Sequence, residues 1–318
     1  MKTRFFWMLF VLLAAGTRSV ANERATVIVV VGAPGEDEYA TVFAQQVEAW
    51  KKVCAQAGAK PIVIGAEVND ATSDRDRVKL ALEAETKTGA DELWIVLVGH
   101  GTFNGKEAKF NLRGLDLAAT DLAEWLKPFQ RPLAIIDTAS ASAPFLSKLA
   151  GKGRVVVSST RSGNEQNYAR FGKFFAEAIG DPKSDLDKDG QISLLEAFLS
   201  GSQRTAEFYK TEGRLATEHA LMDDNGDGLG TPADWFRGVR ATKQAKDGAT
   251  LDGTRAHQFH LVRSAAEQQL PSAARARRDA LELQIAKLRE GKAKMAAAKY
   301  FAELEKLLLE LAAVYEGT

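Results

Sequence analysis

Apolar residues in this chain gather in short unbroken runs instead of alternating with polar ones. Thr26 to Val31, Leu93 to Val98, Leu133 to Ile136 and Arg154 to Ser158 are four such runs, and Lys60 to Ile64 is a shorter fifth. A strand covered on both faces has no polar side to show, so this pattern predicts strands of a parallel sheet. Between them lie segments with helical spacing. Phe43, Val47, Trp50 and Cys54 fall on one face of a helix over Glu38 to Gln56, which Gly58 stops. Ser73 or Asp74 caps a helix running to about Thr86. Asp121 to Phe129, Ala143 to Leu149 and Tyr168 to Ile179 read as three more helices. Phe103, Phe110 and Leu112, set around Asn104-Gly105, predict a small hairpin. Strand and helix thus alternate five times, which predicts an α/β fold with a parallel-rich sheet and helices on both faces.

Past residue 180 the pattern changes. Asp185-Leu-Asp187-Lys-Asp189-Gly190-Gln191-Ile192-Ser193-Leu-Leu-Glu196 fills every position of a twelve-residue EF-hand calcium loop. Asp185, Asp187 and Asp189 supply oxygens at positions 1, 3 and 5. Gly190 makes the turn at 6, Gln191 offers its carbonyl at 7, and Glu196 is the bidentate ligand at 12. A merely solvated acidic loop has no reason to keep the glycine, isoleucine and glutamate in phase. A second loop runs from Asp223 through Asn225, Asp227, Gly228 and the Leu229 carbonyl to Asp234. Gly230 replaces its apolar position 8, and Asp234 is a short position 12, so weaker calcium binding, or magnesium, is expected there. The two loops start 38 residues apart, close to the spacing of a paired EF-hand, with a helical pattern between them, though the missing apolar position 8 weakens the case for their mutual strand contact. His257 and His260 are three apart and could share a helix face, but no convincing third zinc ligand accompanies them. His219, just before the second loop, reads as structural.

After Pro271 the composition turns to Ala, Leu, Glu, Lys and Arg. Leu281, Ile285, Leu288 and Met295 keep one seven-residue phase, and Ala297 to Tyr315 keep another two residues out of step. A helical hairpin turning near Gly291, or one long helix with a break, explains the slip. The stripe covers something, on this chain or on a partner, with dimerisation and self-docking both open.

Composition refines this picture at three points. Lys2 and Arg4, the apolar stretch Phe5 to Ala15 and Ser19-Val20-Ala21 together predict a secretory signal ending at Ala21, hence export to a periplasm or the outside. Removing it leaves 39 basic and 42 acidic residues, a net charge of −3, which points to neither nucleic acid nor an anionic membrane as partner. Cys54 is the only cysteine, so an internal disulfide is excluded, and its place on the helix face predicts a buried structural thiol. The expected organisation is a signal over 1–21, an α/β domain over 22–180, a calcium region over 181–240, a connecting segment over 241–270 and a helical segment over 271–318.

Candidate chemistry sits at strand ends. Gly99-His100-Gly101 closes the most apolar strand, where open α/β sheets place their ligands. Thr26 to Val31 ends in Gly32-Ala33-Pro34-Gly35, which lacks the Gly-Lys-Ser/Thr of a phosphate-binding loop. Leu133 to Ile136 ends in Asp137-Thr138-Ala139-Ser140-Ala141-Ser142, and Arg154 to Ser158 in Ser159-Thr160-Arg161-Ser162-Gly163.

The order strand, His-Gly, hairpin, helix, strand, acidic-small-small, strand, Ser-Arg-Ser resembles the caspase-like fold of clan CD cysteine peptidases, which includes caspases, metacaspases and legumains. The similarity covers about Ala25 to Ile179. The resemblance implies that His100 occupies the place of the catalytic histidine. It also implies that the nucleophile falls at Ala139 or, sliding by one, at Ser140. Neither is cysteine, and Cys54 lies on an early helix. Two functions follow as expectations. The favoured one is an exported, calcium-stabilised protein whose caspase-like domain has lost peptidase chemistry, with a protein partner or a second copy engaging the terminal helices. The alternative is a hydrolase in which His100 activates Ser140.

Overall fold

The computed structural model describes residues 24–67 and 71–316. The expected secretory signal and its cleavage point lie outside the described residues. Five parallel strands form the centre: β1 (Thr26–Val31), β2 (Lys60–Ile64), β3 (Leu93–Val98), then, after the hairpin strands β4 (Gly101–Phe103), β5 (Ala108–Phe110) and β6 (Leu117–Ala118), β7 (Leu133–Asp137) and β8 (Arg154–Ser158). Two short strands, β9 (Leu221–Asp223) and β10 (Thr231–Pro232), extend the edge, giving the order β2-β1-β3-β7-β8-β9-β10 with β9 antiparallel to its neighbours.

The absence of alternation in the strands has a direct cause. Odd and even residues of each strand serve different cores. Val27, Val29, Trp94, Val96, Ala134, Ile136, Val155 and Val157 face a layer containing α1 (Asp37–Ala57). Ile28, Val30, Ile95, Leu97, Ile135 and Val156 face the layer of α2 (Asp74–Ala84), α3 (Ala119–Leu126) and α4 (Ala143–Leu149). The first layer is completed by α5 (Phe171–Ala178) and α6 (Leu194–Thr211). Ser73 caps α2 by accepting from the Asp76 N–H, and Gly58 ends α1 at φ +62°. The hairpin after His100 forms as β4 and β5 pair antiparallel, and β6 adds a third strand.

Residues 181–240 are built into this body. Loop 2 connects β9 to β10 at the sheet edge, and loop 1 runs directly into α6. Loop 1 is preceded by α5 and a 3-10 turn, Pro182–Ser184, and followed by α6, whereas loop 2 lies between two strands, and no strand joins the two loops among the described residues. Two short helices, α7 (Thr254–Gln258) and α8 (Ala265–Gln269), lead to the long α9 (Ser272–Glu290). The terminal segment is a hairpin. α10 (Ala297–Glu316) returns antiparallel to α9, since Arg277 near the start of α9 pairs with Glu310 near the end of α10. α9 docks on its own chain, burying Leu281 and Ile285 and receiving Gln258 Nε2 on the Asp279 carbonyl at 3.0 Å. α10 keeps Phe301, Leu308, Leu309 and Tyr315 exposed. No helix among the described residues is long and apolar enough to cross a membrane.

Candidate functional site

His100 and the loop after β7 meet at the carboxyl end of the sheet, as the strand order requires. β3 and β7 are neighbours, so Gly101 and Ser140 come together. The approach is backbone-close: a Cβ on Gly101 would stand 2.2 Å from the Ser140 carbonyl oxygen. Only glycine fits there, which is the reason for His-Gly at this strand end.

The groups that could do chemistry are engaged elsewhere. Ser140, 2 % exposed, accepts from the Gly101 N–H and donates to the Gly101 carbonyl, both at 3.2 Å. His100 places Nε2 3.2 Å from the Pro34 carbonyl. A carbonyl only accepts, so Nε2 carries the proton in that contact and is not the basic nitrogen. Burial lowers the His100 pKa, with the Pro34 contact partly opposing it. Tyr39, Phe43 and Tyr168 enclose the imidazole, with ring centroids at 4.6, 5.3 and 5.8 Å. No hydrogen bond joins His100 to Ser140 among the described residues. Ala139 is 1 % exposed and offers no nucleophile. Ser142 is also tied down, since its oxygen accepts from the Ser159 and Thr160 N–H groups. Cys54 lies near the end of α1, at the opposite end of the sheet, and burial pushes its thiol up to about 11.

Asp137 is the outlier of this region. It is 1 % exposed. Oδ1 accepts from the Ala139 N–H at 3.0 Å, and Oδ2 has no hydrogen-bond partner among the described residues. Burial without a cation raises its pKa to about 8.

The two acidic loops share one internal hydrogen-bond pattern. In loop 1, Asp185 accepts from the Lys188 and Gly190 N–H groups, Asp187 from Asp189, and Asp189 from Gln191. In loop 2, Asp223 accepts from Gly226 and Gly228, Asn225 from Asp227, and Asp227 from Leu229. Positions 4 and 6 of both loops have positive φ: Lys188 +66° and Gly190 +88°, Gly226 +85° and Gly228 +76°. In loop 1 this brings the Asp185, Asp187 and Asp189 carboxylates within 4.8 Å of one another.

The carboxylate that closes the backbone of loop 2 is not the residue at position 12. In loop 1, Glu196 Oε1 accepts from Leu186 and Asp187, while Oε2 accepts from the Ser193 hydroxyl at position 9. In loop 2 the same bonds go to Asp252. Its Oδ1 accepts from Asp224 and Asn225, and its Oδ2 accepts from the Thr231 hydroxyl at position 9. Asp234, the expected position 12, is exposed on a 3-10 turn, Ala233–Trp235. The cause is local. Loop 1 runs into α6, which folds Glu196 back over the loop, whereas Pro232 holds an extended ψ of 156° and sends loop 2 onward along the sheet edge. Burial raises the pKa of Asp223 and Asp252. Asp252 adds to the shift of Asp223, and Asp224 adds to that of Asp252.

One short segment touches both loops. Asp224 accepts from the Gly253 and Ala256 N–H groups and so caps α7, while Asp252 just before that helix closes loop 2. His257, near the end of α7, places Nε2 2.8 Å from Asp187 Oδ2 in loop 1. Ligand atoms of Asp187, Glu196 and His257 lie within 4.8 Å of one another. His260 is buried. Its Nδ1 lies 3.2 Å from the Gln258 carbonyl, and its Nε2 has no partner among the described residues. Burial lowers its pKa, with Asp189 the first group opposing it. His219 lies 2.6 Å from Glu165, a structural pairing at the loop after β8.

No family model matches this sequence, and no curated protein matches it. Solved structures similar in fold include the Drosophila initiator caspase Dronc, at 11 % identity and TM-score 0.42, covering 66 % of this chain and 82 % of that one. Caspase-1 from Spodoptera frugiperda gives 12 %, 0.45, 64 % and 88 %. The protein GSU0716 from Geobacter sulfurreducens gives 11 %, 0.42, 63 % and 92 %.

Proposed function

We propose that this is an exported, calcium-stabilised protein whose caspase-like domain lacks peptidase chemistry. The observation that carries the second half is the pair of hydrogen bonds between the Ser140 hydroxyl and the Gly101 backbone. A serine nucleophile needs a base on its proton, and here the proton is given to a backbone carbonyl. The imidazole beside it holds its Nε2 proton against Pro34. The arrangement suits a rigid scaffold better than a reaction centre. The purified mature protein is accordingly expected to leave a broad peptide library uncut, with and without calcium. Cleavage that disappears in both Ser140→Ala and His100→Ala would establish the hydrolase reading instead.

Calcium enters through charge. Asp185, Asp187 and Asp189 converge in loop 1 with Glu196 beside Asp187, and in loop 2 Asp252 and Asp227 both act on Asp223. Like charges brought this close repel unless a cation sits between them. A ligand that binds only the folded state stabilises it by RT ln(1 + [L]/Kd), about 2.7 kcal/mol at a hundredfold excess over Kd. Thermal melts should show a higher midpoint in calcium than in chelator. Glu196→Gln should remove most of that shift, because it takes away the bidentate ligand of the better-formed loop. An unchanged midpoint in the parent would refute calcium stabilisation.

A further inference from the structure

Loop 1 collects only oxygen donors from its own twelve residues, yet a nitrogen donor also reaches it. His257 stands 70 residues from Asp187 in sequence and 2.8 Å from it in space. It forms a triangle with Asp187 and Glu196, in which every ligand atom lies within 4.8 Å of the other two. Two donors bound to one tetrahedral ion at about 2.0–2.1 Å stand roughly 3.3 Å apart. The three side chains are thus within a small closure of that geometry. A half-exposed His–Asp ion pair is worth at most about 1 kcal/mol. Glu196 is fixed in the same triangle by its bonds from Leu186, Asp187 and Ser193, so three donors stand ready together.

A second observation comes from His260. It is 8 % exposed and leaves Nε2 without a partner. Its ring lies 6.3 Å from that of His257, and Asp189 of loop 1 is the anion that acts on it most. An unmet buried polar nitrogen costs on the order of 1–3 kcal/mol. A cation or its bound water beside loop 1 would relieve that cost.

We propose that Asp187, Glu196 and His257 form a site for a borderline divalent cation of the zinc class, with one coordination position left open. It rests on the loop 1 cation site described above and adds a second metal to it. Calcium takes six to eight oxygens and gains little from imidazole, whereas zinc and cobalt accept one nitrogen with two carboxylates. Asp187 and Glu196 belong to both donor sets, so the two metals compete for the loop. α7 supplies the difference: its His257 is present for zinc and dispensable for calcium.

The test uses the full mature chain. Zinc affinity is measured by competition against a chromophoric chelator, and cobalt serves as the spectroscopic probe of a tetrahedral nitrogen-containing site. Wild type should bind zinc, and cobalt should show intense visible bands. His257→Ala should weaken zinc by about tenfold or more and abolish those bands. The calcium-induced rise in melting midpoint should persist in that variant. His257→Asn repeats the test with a polar side chain of similar size, should alanine disturb α7. Asp185→Asn should do the reverse, weakening calcium and leaving the cobalt spectrum intact. Zinc affinity unchanged in both His257 variants overturns the proposal, as does no zinc binding by a wild-type protein that still responds to calcium. That last result leaves calcium stabilisation standing. Loss of the calcium response with zinc binding intact would strike the calcium reading alone.

Discussion

Replacing Asp137 with asparagine is expected to flatten the pH dependence of stability between about pH 4 and 8. The carboxyl is held at about 8 in the folded protein by burial, against about 3.9 in an unfolded chain. Between those values the folded state keeps a proton that the unfolded state has released. Stability therefore falls as pH rises across that window, and levels off above it. Each unit is worth about 1.4 kcal/mol, so the whole window amounts to at most on the order of 5 kcal/mol. Asparagine has the same shape and its oxygen can still accept from the Ala139 N–H, but it has no proton to lose. Urea melts from pH 4 to 9 on both proteins decide the matter. The variant should gain on the parent steadily up to pH 8, and parallel curves would sink the idea. Burial thus favours the neutral form of the Asp137 carboxyl in the folded chain.

The strands were readable because burial on both faces leaves no freedom: six apolar residues in a row, such as Leu93 to Val98, have few other fates. The same holds for the one-sided helix through Phe43, Val47, Trp50 and Cys54, all buried. The helix starts and stops were readable where a cap residue governs them, as at Ser73 and Gly58. The hairpin near Gly291 left only one ambiguity, which the Arg277–Glu310 pair resolves. The state of the strand-end site was not readable. Whether Ser140 faces an imidazole or a backbone depends on where β3 and β7 bring Gly101, and sequence spacing carries no such information. His257 was hidden for the same reason, since its partner lies 70 residues away. Asp252 was hidden likewise, since it lies 18 residues beyond Asp234 in sequence.

The sharpest contrast between sequence and structure lies in loop 2, and it can be measured against a silenced loop 1. In a Glu196→Gln background, the remaining calcium-induced rise in melting midpoint should vanish with Asp252→Asn and survive Asp234→Asn. Asp252 makes the bonds in loop 2 that Glu196 makes in loop 1, whereas Asp234 is exposed. Losing one carboxylate from such a site should weaken calcium by about tenfold or more. The sign should reverse in chelator. There burial and Asp224 disfavour the ionised Asp252 carboxyl, so its neutral amide should leave the metal-free protein as stable as the parent, or more so. The amide oxygen can still accept from the Asp224 and Asn225 N–H groups, so α7 keeps its place. A variant that is weaker by the same amount with and without calcium would mean that Asp252 is only a backbone clamp. A shift lost with Asp234→Asn and kept with Asp252→Asn would return the twelfth position to Asp234.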